Sequence, residues 1–385
     1  MPRRILFLAA LAFAPLGSMS HAADSPTEVT VYLGTYTKYS ESKGIYASKL
    51  NLKTGELSKP ELKAEIANPS FLAIAPDGKH LYCVAELAEF EGKKNMGGVG
   101  AFEIDPATRD LKPLNQQSSG GAGPCHCVVD RSGRNVLVAN YVGGSVACLP
   151  INDDGSLKPA SAFIQHAGKV ADEKRQHSPH GHSINVDHNN AFAVAADLGL
   201  DKLFIYKLDA EKGTLTPNDP PSTSLRPVDG PRHFAFHPSG DFAYVINEIS
   251  LTITALRYAP QHGVLYSMQT ISTVPDDIKG RQHSTAEVQV HPSGKWVYGS
   301  NRGHDSIAMF AVDAKTGQLK SLGQEPCGGK IPRNFGIDPT GQFMLVANQD
   351  SSNVVVFKIN QETGKLEKTG HEIACPKPVC VKFLL

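Results

Sequence analysis

Short runs of alternating apolar and polar residues recur along this chain, each closed by a turn and answered by a second run that ends in Asn or Asp. Six copies are complete: Pro69 to Glu86, Pro124 to Tyr141, Gly181 to Leu198, Pro231 to Glu248, Thr285 to Arg302 and Pro332 to Gln349. Period-two alternation sends successive side chains to opposite faces, so each run predicts a strand and each Pro-x-Gly-type turn a hairpin. The turn residues Gly78, Gly133, Asn190, Gly240, Gly294 and Gly341 stand roughly 47 to 57 residues apart, the length of one four-stranded propeller blade.

A third strand and a second turn signal follow the phrase. Leu203 to Leu208 runs into Glu211-Lys212-Gly213-Thr214-Leu215, Ile307 to Val312 into Lys315-Thr316-Gly317-Gln318-Leu319, and Val354 to Ile359 into Glu362-Thr363-Gly364-Lys365-Leu366. The C-terminus carries only the opening of a seventh phrase, Lys377 to Phe383, and the N-terminus its remainder, Val31 to Thr35 and Gly44 to Leu57. Joining them closes a ring and removes the exposed edges of an open array. The expectation is an all-β, seven-bladed β-propeller whose last blade is closed by the N- and C-terminal strands. A repeat array overrides the length-based prior of several domains, so residues 23–385 read as one domain.

Composition narrows the partners. Of 385 residues 41% are hydrophobic, with 35 Gly and 26 Pro, which suits short strands and many turns. A formal net charge of +0 supplies no basic field for nucleic acid or an anionic membrane, so the expected partner is a small molecule. Residues 1–22 read as a signal peptide: Arg3-Arg4, the apolar run Ile5 to Leu16, then Ser20-His21-Ala22 at the cleavage positions. That implies a periplasmic or secreted protein, free of the membrane once the signal is removed. Seven cysteines cannot all pair; Cys375 with Cys380, or Cys125 with Cys327, are the candidate bridges in an oxidising compartment. Cys125-His126-Cys127 lacks the second pair a zinc site needs. Gly97 to Gly100 and Gly120 to Gly123 read as loop glycines.

The repeats also separate scaffold from site. Eight residues before the turn stand Ser70, Cys125, His182, Arg232, Ala286 and Arg333; eight after it stand Glu86, Tyr141, Leu198, Glu248, Arg302 and Gln349. In a propeller the first strand of a blade lines the channel and the second returns beside it, so both sets meet at one mouth. These positions change chemistry from blade to blade, whereas the residue seven after the turn is Asn140, Asn247, Asn301, Asn348 or Asp197 and reads chiefly as a strand-ending scaffold position. His182, Arg232, Glu248 and Arg302 are the candidate catalytic residues, a rim of imidazole, guanidinium and carboxylate; the bland alternative is an inter-blade ring of ion pairs. His180, Asp197, His283 and Arg333 are the candidate substrate-binding residues. The tetrapeptide Arg-Gln-His-Ser, at Arg175 to Ser178 and again at Arg281 to Ser284, precedes two of the inner strands. His180 and His182, two apart on a strand, would share a face, but no further ligand joins them and no metal or other cofactor is expected.

Tyr32-Leu33-Gly34-Thr35-Tyr36-Thr37, Pro179-His180-Gly181-His182-Ser183, Gly230-Pro231-Arg232-His233 and Ser300-Asn301-Arg302-Gly303-His304-Asp305 resemble the seven-bladed lactonase family. That family groups cycloisomerase-type 6-phosphogluconolactonases with the fungal carboxy-cis,cis-muconate cyclising enzyme, and the resemblance spans essentially the whole mature chain. It implies a site of one histidine, two arginines and a glutamate at the places of His182, Arg232, Arg302 and Glu248, the four that the repeats select independently.

The expected function is hydrolysis of a sugar-acid lactone of the 6-phosphogluconolactonase type. Glu248 or His182 would take the water proton, and Arg232 and Arg302 would hold the oxyanion. One alternative is a muconate-type lactonising cycloisomerase; another is an exported propeller that binds a ligand or protein without turnover. The export signal departs from a cytoplasmic sugar-phosphate pathway and points toward an unphosphorylated aldonolactone or another extracytoplasmic lactone.

Overall fold

The computed structural model describes residues 1–2, 27–170, 175–278 and 282–384. Residues 3–26, which carry nearly all of the expected signal peptide, lie outside them. Seven four-stranded antiparallel sheets are arranged around a channel, with one extra two-stranded hairpin at Glu89–Phe90 and Lys93–Lys94. The innermost strands are Leu72–Ile74, Pro124–Val129, Gly181–Val186, Pro231–Phe236, Ser284–Val290, Pro332–Ile337 and Pro378–Leu384, and each touches the next round the ring.

Closure follows the split phrase. In the seventh sheet Pro378–Leu384 is innermost and pairs with Glu28–Thr35, Val381 opposite Leu33 and Phe383 opposite Val31; Gly44–Asn51 and Glu61–Glu65 complete it. The hairpin turns form because Gly78, Gly133, Asn190, Gly240, Gly294 and Gly341 all take positive φ, between 58° and 80°, where glycine and asparagine are tolerated at least cost.

The apolar core is divided into slabs between neighbouring sheets. Tyr244, Ile246 and Ile253 of one blade, for example, are buried with Val288, Val297 and Phe310 of the next, so a blade removed from its neighbours loses both cores. A tyrosine four residues after the turn fastens adjacent blades by donating to a backbone carbonyl: Tyr82 to Gly155 O at 2.9 Å, Tyr244 to Gly317 O at 3.0 Å, and Tyr298 to Gly364 O at 2.8 Å.

Two expectations change. Gly98 and Gly100 are not in a loop but in the third strand of their blade, Gly98–Ile104; a Cβ on Gly98 would stand 2.7 Å from the Phe90 ring, and one on Gly100 2.9 Å from Ile66 Cδ1. Glycine is there for close packing, which a turn signal in sequence mimics. The seven cysteines are buried free thiols rather than partners in bridges, small apolar side chains in or beside the cores.

Candidate active site

The register of the inner strands explains why the site lies where it does. Six of them carry a bulge against the neighbouring strand, and the residues left out of register are Cys125, His182, Arg232 with His233, Ala286 with Glu287, Arg333, and Val379. A bulge breaks the strict alternation of faces and re-aims the extra residue. In the five of these blades that carry the Gly or Asn turn it begins eight residues before that turn.

Glu248 is the hub of one mouth. Its Oε2 accepts from Arg232 Nε at 3.0 Å and lies 2.9 Å from Arg302 Nη2, and its Oε1 accepts from Arg175 Nη2 at 3.0 Å. Burial alone would raise this carboxyl, but Arg302 and Arg232, with help from Arg333 and Arg175, outweigh it and hold it at about 2. A carboxylate so held is an anchor for cations and a poor proton acceptor near neutral pH. Arg232 is committed further: it is 2% exposed and donates Nη1 to Ala286 O at 2.7 Å. Arg302 donates Nη2 to Thr285 O at 2.7 Å.

Arg333 differs from these two. Its guanidinium lies over the Tyr36 ring, 5.3 Å from the centroid, and none of the hydrogen bonds or ion pairs among the described residues uses it. Beside it Glu86 accepts from Tyr36 Oη at 2.9 Å and from Ser70 Oγ. Tyr36, Glu86, Cys125, Arg232, His233 and Arg333 line a common cavity there, a polar recess with a cation to spare.

His182 is buried, with the Cys125 thiol 3.6 Å from its Nδ1. Burial, then the positive charge of Arg232, hold its pKa well below the usual histidine range, so the ring is neutral and has a lone pair to accept a proton. Burial pushes the Cys125 thiol up, which removes it as a thiolate nucleophile. Tyr141 stands between two imidazoles, stacked on His180 at 4.5 Å and edge-on to His182 at 5.1 Å.

The candidate binding residues divide. His180 lies just ahead of the strand that begins at Gly181 and gives its Nδ1–H to Tyr141 O at 2.9 Å, so it does not act as a second face-sharing ligand beside His182. Asp197 is wholly buried and turned inward: Oδ1 accepts from His180 N and Leu200 N, and Oδ2 lies 2.6 Å from His166 Nδ1. It holds the loop rather than facing the channel. His283 lies against Gly303, with no hydrogen bond among the described residues to the Glu248 cluster. The asparagines at the equivalent of Asp197 tie strands together, as Asn140 does to Ser145 Oγ at 3.1 Å and Asn301 to Ser306 Oγ at 3.1 Å.

Two groups are given no role by the sequence. Arg175 opens the repeated Arg-Gln-His-Ser tetrapeptide, whose place before an inner strand is expected but whose bond to Glu248 is not. A second layer, His126, His233, Glu287 and Asn334, stands one residue further along the inner strands, with His233 Nδ1 3.0 Å from Glu287 Oε2. Burial raises the Glu287 carboxyl to about 7. The signal was available: seven residues before the turn stand Phe71, His126, Ser183, His233, Glu287 and Asn334, as varied as the position before them. Strict alternation sends them away from the channel; the bulge brings them back. At the opposite mouth a larger cavity, lined by Leu72 to Gly78, Cys127 to Val129, Lys382 and Phe383, carries only Asp77 and Lys382 as charged groups and lacks such convergence.

Known proteins show the same architecture. The family model described as Lactonase, 7-bladed beta-propeller matches residues 30–383. A 6-phosphogluconolactonase of Bacillus subtilis is 39% identical over 358 residues, covering 93% of this chain and 99% of the relative. A 6-phosphogluconolactonase of Formosa agariphila is 36% identical over 80% of this chain and 86% of its own length. Among solved structures, the periplasmic gluconolactonase of Pseudomonas aeruginosa superposes with a TM-score of 0.86 at 31% identity, covering 93% of this chain and 99% of that one.

Proposed function

We infer what this mouth does from lineage and geometry together: the chain belongs to the seven-bladed β-propeller lactonase family, and it is a lactone-hydrolysing enzyme. The observation that carries the assignment of roles is the contrast between a neutral buried imidazole, His182, and an uncommitted guanidinium, Arg333, beside a carboxylate already saturated by three arginines.

Opening a lactone needs a water made nucleophilic and a positive site for the oxyanion of the tetrahedral intermediate. His182 takes a proton from the attacking water as its oxygen bonds the carbonyl carbon. Arg333, with Arg302, faces the developing oxyanion. When the ring C–O bond breaks, His182 returns the proton to the leaving oxygen, so water is added with no other reactant. Glu248 fixes Arg232, Arg302 and Arg175 and offsets their repulsion; of the two bases expected from sequence, its acidity leaves His182 the role. His180 and Tyr141 form an aromatic wall beside the reacting centre.

The substrate is a sugar-acid lactone, and export through residues 1–22 favours an unphosphorylated aldonolactone over a cytoplasmic sugar phosphate. The P. aeruginosa relative, a periplasmic gluconolactonase, supports that reading. No helix among the described residues is long and apolar enough to cross a membrane. A panel of gluconolactone, 6-phosphogluconolactone and a muconolactone tests it: ring opening above the uncatalysed rate, fastest with gluconolactone, is expected. Preference for the phosphorylated lactone overturns the substrate choice; no turnover of any of them overturns the enzyme.

A further inference from the structure

The roles above leave one buried acid unused. Among the described residues three carboxylates face this part of the channel: Glu248 is saturated by guanidinium groups, Glu86 takes the hydroxyls of Tyr36 and Ser70, and Glu287 faces an imidazole. Glu287 is 6% exposed and His233 4%. The carboxyl is fixed as an acceptor: Val288 N–H donates to Oε1 at 3.1 Å, and Asn334 Nδ2 donates to Oε2. Asn334 cannot present its oxygen instead, because Oδ1 already accepts from Val381 N at 2.9 Å. With Asn334 and Val288 both donating to it, the ionised carboxylate takes the Nδ1–H of His233, 3.0 Å from Oε2, and Nε2 is left as a bare acceptor.

That Nε2 is buried and has no hydrogen-bond partner, a costly state that calls for an occupant in the working enzyme. The His233 ring stands edge-on to His182, with centroids 5.4 Å apart. His182 has a difficulty that this neighbour would relieve. Arg232 and Arg333 both oppose a positive charge on it, yet accepting a proton from water makes it an imidazolium.

We propose that Glu287 is a positioning residue that holds His233 in its Nδ1–H tautomer, so that His233 Nε2 accepts a hydrogen bond from the His182 imidazolium formed during ring opening. The water proton resides on His182 until the ring C–O bond breaks and then passes to the leaving oxygen. Glu287 supplies, through His233, the negative charge that the arginines deny. This rests on the hydrolase reading of the mouth.

The test is Glu287→Gln in the full-length protein, followed by steady-state kinetics with the best lactone and by nitrogen-15 NMR of labelled histidines. Glutamine keeps the shape but can offer an N–H to Nδ1, moving the His233 proton to Nε2, where it points at His182 in place of a lone pair. The expected result is a kcat lower by about 100-fold, the low end for general acid–base assistance, with KM within about twofold. The parent should show His233 protonated on Nδ1. Parent-like kcat in a folded variant, or a parent His233 protonated on Nε2, overturns the proposal. Should Glu287→Gln fail to fold, His233→Gln is judged by the same kcat criterion. A parent that opens no lactone defeats the hydrolase reading itself; a parent that turns over as fast as its Glu287→Gln variant defeats this inference alone.

Discussion

Arg232 Nε lies 3.0 Å from Glu248 Oε2, and the same oxygen lies 2.9 Å from Arg302 Nη2, so two guanidinium groups that would repel each other share one carboxylate oxygen. Each arginine depends on Glu248 to be where it is, and the pair is less a bond between blades than a clamp that fixes positive charge at the channel mouth.

Glu248→Gln should therefore act first on stability. The carboxyl falls from 4.5 to about 2 on folding, and its side chain is 11% exposed. That difference is on the order of 3 kcal/mol. Because the folded pKa is the lower one, the stabilisation is fully present above the unfolded value near 4.5 and is lost as pH falls through about 2. Thermal melts between pH 2 and pH 7 should show a lower melting temperature for the variant at neutral pH and a flatter acid limb. Equal acid limbs for parent and variant would mean that the arginines do not depress this carboxyl.

Arg333→Ala separates function from scaffold. The guanidinium makes no hydrogen bond or ion pair among the described residues and lies over the Tyr36 face, so its loss should shift the melting temperature little. If it holds the oxyanion as proposed, its loss should lower kcat by about 100- to 1000-fold. Arg232→Ala, by contrast, strips a 2%-exposed group of contacts to Glu248 and Ala286 and should depress both folding and rate. If Arg333→Ala turns over normally, the oxyanion is held elsewhere.

How far the sequence reached depended on periodicity. Turn spacing reveals seven blades and the Val381–Leu33 closure because the fold must repeat those features. His182, Arg232, Glu248 and Arg302 stand out for the opposite reason, as departures from a repeat. Asp197 departs too, but its carboxylate serves His166 and two backbone amides, and a single sequence does not say which way a variable residue turns. His233 and Glu287 were hidden by the bulges, which place consecutive residues on one wall where alternation assigns them to two. Arg175 reaches Glu248 from a tetrapeptide that recurs before a second inner strand; the recurrence places it at the mouth but does not name its partner.

Tyr244→Phe tests the fastening of one blade to the next. Tyr244 is fully buried, and its hydroxyl donates to Gly317 O at 3.0 Å. Removing it leaves a carbonyl without that donor while keeping the ring, so the cost should be about 1–2 kcal/mol, read by denaturant titration. The tyrosine lies away from the residues at the channel mouth, so kcat should not change. A variant as stable as the parent would mean that water replaces the hydroxyl there.

Removing residues 376–385 tests ring closure. The lost strand, Pro378–Leu384, is the innermost of its sheet and contributes Val379, Cys380, Val381 and Leu384, all buried. It is also the contact between the inner strands Pro332–Ile337 and Leu72–Ile74. Its loss would expose the edge of Glu28–Thr35, free Asn334 from Val381 N, and open two inter-blade cores at once. Because blades share cores instead of owning them, the damage should not stay in the seventh blade. The truncated chain should yield little soluble protein, and what remains should lack a cooperative thermal transition. A sharp transition near the parent's, by differential scanning calorimetry, would mean that six blades hold the ring without the terminal strand.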